Sequence, residues 1–162
     1  MSEKKLKDIK EALANDEFVF YYQPKISMQS GVINGAEALI RWIKPDGTII
    51  PPFEFIPLAE ETGFITEITF AMLDKAIDDL RTINELNPDL IISINASAKD
   101  FQDDKLIDKF EQKINEGKLC KNKIEVELTE TAFCENESIT DRLYKLQKLG
   151  VSLSMDDFGT GY

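Results

Sequence analysis

Apolar residues recur along this chain with two different periods, and each change of period marks a new element. Helical spacing predicts a short amphipathic helix at about Leu6–Asn15, and a run of β-formers predicts a strand from Phe18 to Lys25. A second strand is expected over Ile33–Ile43, with Pro45-Asp46-Gly47 turning the chain after it. Pro51-Pro52 opens a helical stretch that reaches Glu61 and is broken by Thr62-Gly63. Ile65, Ile68, Met72, Leu73, Ala76, Leu80 and Ile83 then fall on one stripe of a longer helix. The remainder alternates: a strand at Leu90–Ser97, a helix through Leu106, Phe110 and Ile114 ending at Gly117, and a strand at Ile124–Thr129. A helix through Ile139, Leu143 and Leu146 closes at Gly150, and a strand at Val151–Asp156 follows. Strands joined by helix-length connections imply right-handed crossovers and a mainly parallel sheet, an α/β architecture. The expected organisation is a leading helix over residues 1–16 and one domain body over 17–162.

Within the strands the polar residues are not scattered. Side chains two apart share a face. Glu37, Leu39 and Arg41 therefore lie opposite Ala36, Ala38 and Ile40, and Ser93, Asn95 and Ser97 lie opposite Ile92, Ile94 and Ala96. Glu125, Glu127 and Thr129 oppose Ile124, Val126 and Leu128, while Ser152, Ser154 and Asp156 oppose Val151, Leu153 and Met155. Such alternation usually means a sheet with one face in water. Parallel strands with helical connections are normally covered, however, and the acids and the Asn cluster toward the C-terminal strand ends, where α/β proteins build their sites.

Composition narrows the chemistry. Nineteen Lys and Arg against thirty Asp and Glu give a net charge of −11. That field repels polyanions, so no DNA or RNA partner is expected. There is no histidine, which removes His-based nucleophile systems, His proton transfer and His-ligated zinc. Cys120 and Cys134 make neither a disulfide framework nor a metal spacing. With no secretory signal and no membrane-length apolar run, a cytoplasmic protein without a membrane segment is expected. Carboxylates and amides crowded on one face call for a hard cation, Mg²⁺ or Mn²⁺, and adjacent acids such as Asp156-Asp157 suit a two-ion phosphoester site. The residues alone lead to metal-dependent phosphoester chemistry and no further.

Six motifs then occur in order: Tyr22-Gln23-Pro24, Glu37-Ala38-Leu39-Ile40-Arg41-Trp42, Phe55-Ile56-Pro57-Leu58-Ala59-Glu60, Asn95-Ala96-Ser97, Glu127-Leu128-Thr129-Glu130 and Asp156-Asp157-Phe158-Gly159-Thr160-Gly161-Tyr162. A single Glu-Ala-Leu says little, since Glu11-Ala12-Leu13 repeats it in the leading helix. The ordered set resembles the EAL family of cyclic-di-GMP phosphodiesterases from about Phe18 onward. The resemblance implies a TIM-like (β/α)₈ barrel with an antiparallel first strand, and hydrolysis of cyclic-di-GMP to linear pGpG with two Mg²⁺ or Mn²⁺. It implies that Glu37, Asn95, Glu127 and Asp156 bind the first ion, with Asp156 bridging to a second ion held by Asp157. Glu37, Asp156 and Asp157 would thus be the catalytic set, Glu130 would brace the loop starting at Phe158, Arg41 would pair with a substrate phosphate, and Leu39 and Gln23 would line the cleft.

Asp157-Phe158-Gly159 also matches a protein-kinase triplet, but a kinase needs a Gly-rich phosphate loop and a His-Arg-Asp loop, and neither is present. The family pattern continues beyond Tyr162 with a Lys, a Glu and a Gln, whereas a barrel of this type needs roughly 200 residues or more. The expectation is a chain truncated at about five of eight strands, inactive alone and self-associating as a homo-oligomer. The alternative is a degenerate or truncated EAL module acting as a cyclic-di-GMP receptor or a protein-interaction domain.

Overall fold

The structure, a computed structural model, describes residues 2–129 and 137–156. It opens with helix α1 (Ser2–Ala14), followed by the antiparallel pair β1 (Phe18–Ile26) and β2 (Ile33–Ile43). A two-residue strand, β3 (Ile49–Ile50), folds back onto the end of β2. Next come a 3₁₀ turn at Pro52–Glu54, the short helix α2 (Ile56–Glu61) and the long helix α3 (Ile65–Leu86). The chain then alternates through β4 (Ile91–Asn95), a 3₁₀ turn at Ala98–Phe101, α4 (Lys105–Asn115), β5 (Ile124–Thr129), α5 (Glu137–Leu149) and β6 (Ser152–Asp156).

The sheet runs in the order β1-β2-β4-β5-β6, with β3 added to the side of β2. Pairing of β2 with β4, β4 with β5 and β5 with β6 is parallel, and only the pairings at the β1 and β3 side are antiparallel. The α/β fold with an antiparallel first strand is therefore present, as a mostly parallel sheet.

One face of this sheet carries the main core. Ala36, Ala38, Ile92, Ile94, Val126 and Leu128 are buried, and they pack in one cluster with apolar residues of α3, α4 and α5. Phe110 of α4 and Leu73 of α3 are fully enclosed there. A second cluster joins α1, β1, β2, α2 and the start of α3: Ile9, Phe18, Trp42, Phe55 and Ile68 are buried in it. The Trp42 ring meets Phe55 edge-on at 5.9 Å, and its indole N–H donates to Glu17 at 2.8 Å. Both clusters follow from the apolar stripes, because a stripe on a helix must find an apolar face to cover.

Two details differ from the sequence expectation. The stretch from Pro52 to Glu61 is not one helix: Phe55 adopts φ −126° between the 3₁₀ turn and α2, and its ring is sunk into the second cluster. Burial of that ring outweighs helical continuity. The strand at Leu90–Ser97 is also shorter, because Ser97 leaves it to cap the next turn. Gly117 and Gly150 do end α4 and α5 at positive φ, +69° and +89°.

Candidate functional site

The helices pack on the apolar face of the sheet, so the opposite face is free to gather polar groups. The register orders them in levels. Gln23, Glu37, Ser93, Glu125 and Ser152 lie side by side across the five strands, and Asn95, Glu127 and Ser154 form the next level. Thr129 pairs with Asp156 above that. The four positions Glu37, Asn95, Glu127 and Asp156 thus climb across neighbouring strands toward their C-terminal ends.

Side chains close part of this ladder. The Asn95 carboxamide donates to Glu37 Oε1 at 3.0 Å, tying β4 to β2 at the level where Glu127 follows on β5. Glu127 is buried, only 6 % exposed. Burial pushes its carboxyl above the usual range; the Lys25 ammonium pulls against this, and the Glu37 carboxylate adds to the rise. A buried carboxylate thus stands beside an exposed amide and a half-buried carboxylate, at the solvent-facing edge of the polar face. Among the described residues no three acids, cysteines or histidines are grouped tightly enough to hold an ion by themselves. The donors present are all oxygens or an amide, which fits a hard divalent cation and no soft one. Asp157 and Glu130 lie outside the described residues, as does the side chain of Asp156, so the proposed second ion position falls there too. Cys134 also lies outside them, and Cys120 is an exposed free thiol.

The substrate-side candidates share the same strands. Gln23 is the cross-strand neighbour of Glu37. Leu39 and Arg41 line a cavity of about 270 Å³ together with Ile56, Ile68, Asn95 and Ser97. The Arg41 guanidinium lies over the Tyr21 ring at 5.6 Å and donates to the Ile40 carbonyl at 2.8 Å. Among the described residues it makes no ion pair, so its charge is available to an anion rather than absorbed by the acidic face.

Two features escaped the sequence reading. Lys25, two residues after Gln23 on the same face, donates to Ser93 Oγ at 2.6 Å, to Glu125 Oε1 at 3.2 Å and to Glu127 Oε1. Burial works against its ammonium, yet the two glutamates hold its pKa above the usual value. For Glu125 burial acts upward, but the Ser93 hydroxyl, donating at 2.8 Å, and Lys25 outweigh it and keep the carboxyl low. Parity with Gln23 places Lys25 on the polar face, but its reach to β4 and β5 depends on strand pairing.

The second feature is a polar knot behind Asn95. Ser97 and Asp100 form a reciprocal cap on the 3₁₀ turn, Thr69 of α3 donates to Asp100 Oδ2 at 3.0 Å, and the Ser97 hydroxyl donates to Glu60 of α2 at 2.8 Å. The signal in sequence was Ser97 three residues before Asp100. Asp100 is 1 % exposed, and burial raises its pKa. A raised folded-state pKa means that stability is fullest near the ordinary carboxylate range and falls as pH rises through the raised value. Asp100→Asn is expected to remove that slope, read by urea unfolding at a series of pH values above the ordinary carboxylate range. Asp100→Ala should remove the slope as well and, by deleting the cap, cost about 1–2 kcal/mol at low pH, where the carboxyl contributes most. An Asn variant with an unaltered pH profile would disprove the assignment.

Comparison with known proteins adds the following. The model of the EAL domain family matches residues 6–162. The signalling protein YkoW of Bacillus subtilis is 41 % identical over 155 residues, covering 95 % of this chain and 19 % of that protein. MucR of Pseudomonas aeruginosa, a bifunctional diguanylate cyclase/cyclic di-GMP phosphodiesterase, is 36 % identical over 97 % of this chain and 23 % of its own length. The solved MucR phosphodiesterase in complex with c-di-GMP superposes with a TM-score of 0.88 and 35 % identity, over 98 % of this chain and 65 % of that one. The chain thus spans about a fifth of the length of these curated relatives. No described helix is long and apolar enough to cross a membrane.

Proposed function

Because the chain belongs to the EAL domain family, we propose that its polar sheet face is the metal-and-phosphate half of a cyclic-di-GMP phosphodiesterase site in bacterial second-messenger signalling. The observation that carries this reading is the convergence of Asn95, Glu37 and the buried Glu127 on adjacent strands. The MucR phosphodiesterase with bound c-di-GMP shares the fold at this identity, which supports the same nucleotide here.

In this reading Glu37, Asn95, Glu127 and Asp156 hold one Mg²⁺ or Mn²⁺, and Asp156 with Asp157 holds a second. Such ions supply positive charge against the phosphodiester and lower the pKa of a water molecule. The chain's own residues do the positioning. Asn95 keeps the Glu37 carboxylate in place through its carboxamide. Arg41, unpaired with any described acid, takes a non-bridging phosphate oxygen, a charge-assisted contact that orients the ring nucleotide. Leu39 and the apolar wall of the neighbouring cavity, with Gln23 beside Glu37, receive the rest of the ligand. By the family resemblance Glu130 would brace the loop at Phe158, both outside the described residues. Water adds to one phosphorus, the 3′-oxygen leaves with a proton, and linear pGpG results.

Self-association and a cytoplasmic setting belong to the same proposal.

The test uses the domain at the full length of the MucR phosphodiesterase, incubated with cyclic-di-GMP and Mn²⁺ or Mg²⁺. The expected product is pGpG, formed only with the ion and stopped by chelation. Tight nucleotide binding with no pGpG would replace the enzymatic reading with a receptor.

A further inference from the structure

The polar face contains more carboxylate than the proposed ion ligands use. Glu125 has no part in the ligand set, yet it sits directly beside Ser93 and one level below Glu127. Its counter-charge comes from the far side of the sheet. Lys25 belongs to β1, so its side chain must cross β2 to reach Ser93 on β4 and the glutamates on β5. The residue it crosses is Gly35, its register partner. A Cβ at Gly35 would stand 3.7 Å from Lys25 Cβ and 3.8 Å from its Cδ, and 3.1 Å from the Ile91 carbonyl. The Lys25 stem thus runs alongside the bare backbone of Gly35, where a Cβ would touch it at ordinary contact distance and press on the Ile91 carbonyl. Ser93, 1 % exposed, receives the ammonium at its end.

Resting on the metal-site reading above, we propose that Lys25 is a built-in counter-cation and positioning residue that fills the lower part of the polar face, neutralising Glu125, gripping Glu127 from below, and confining divalent-ion binding to the level of Glu37, Asn95 and Glu127. Without it, three glutamates, Glu37, Glu125 and Glu127, would share one face with no described cation bonded to any of them, since Arg41 turns to Tyr21 and the Ile40 carbonyl. Crowded like charges are relieved by whatever cation is at hand. The lysine thus competes with the ion for Glu127 and lowers the site's affinity, while keeping the ion-free protein folded. Tyr22, whose hydroxyl donates to Asp79 at 2.7 Å, points to the other face and takes no part.

The test measures Mn²⁺ affinity by calorimetry and ion-free unfolding by urea, on the chain and four variants. Lys25→Met is expected to bind Mn²⁺ at least about tenfold more tightly and to unfold at lower urea when ion-free. Adding Glu125→Gln to it should return both values toward those of the parent. Glu125→Gln alone, a milder change that keeps the fold if Lys25→Met does not, leaves the ammonium to Glu127 and should weaken Mn²⁺ binding several-fold. Equal or weaker Mn²⁺ binding by Lys25→Met, or unchanged binding by Glu125→Gln, overturns the inference. The parent's behaviour separates the two readings. If the parent and Glu37→Gln bind no Mn²⁺ alike, the metal site itself fails, while a Mn²⁺ site newly created in Lys25→Met would still establish the lysine's role.

Discussion

Replacing Glu37 with Ala should reduce cyclic-di-GMP hydrolysis by more than about 100-fold in the domain at the length of its relatives. Residues that merely orient a metal ligand typically cost 10–100-fold when removed, so a ligand itself should cost no less. Glu37 has two roles here, since its Oε1 also receives the Asn95 carboxamide. Loss of the carboxylate would free Asn95 to rotate and would leave the buried Glu127 without the neighbouring acid that shares the ion. The loss should appear in kcat, with Mn²⁺ affinity weakened in parallel, because the residue acts on the ion before it acts on the nucleotide. Turnover within a few-fold of the parent would mean that the ligand set is misassigned.

Arg41→Ala should behave differently. A hydrogen bond to a charged group contributes about 1.5–3 kcal/mol, which corresponds to roughly 10–150-fold in affinity. If Arg41 grips a phosphate oxygen in ground and transition states alike, KM should rise by that factor while kcat changes little. Mn²⁺ affinity should be unaffected, because Arg41 touches Tyr21 and the Ile40 carbonyl rather than the acids. Arg41→Lys should recover only part of the binding, since an ammonium cannot make the paired contact of a guanidinium. A kcat defect with unchanged KM would place Arg41 among the groups that act only in the transition state.

Much of this site was legible without coordinates. Alternation along β2, β4, β5 and β6 assigned Glu37, Asn95, Glu127 and Asp156 to one face, because strand parity depends on local geometry alone. The apolar stripe of α3 likewise named Ile68, Met72, Leu73, Ala76 and Leu80, all of which are buried. The break at Phe55 was not legible, since it depends on where that ring is buried and not on the helix-forming tendency of Pro52–Glu61. The shortening of β4 was nearly so: Ser97 and Asp100 have the spacing of a cap.

What the sequence alone determined was each strand's facing, the absence of any imidazole chemistry, and the family to which six ordered motifs point. These are properties of neighbouring residues or of the inventory, and they need no fold to be true. The tertiary structure decided the levels. Only pairing places Asn95 opposite Glu127 and leaves Glu37 within reach of the Asn95 carboxamide. Only the antiparallel β1 brings Lys25 over Gly35 to Glu125, 100 residues away in the chain. Charge in a protein interior is balanced by distance in space, and distance in space is fixed by register between strands that the sequence keeps far apart.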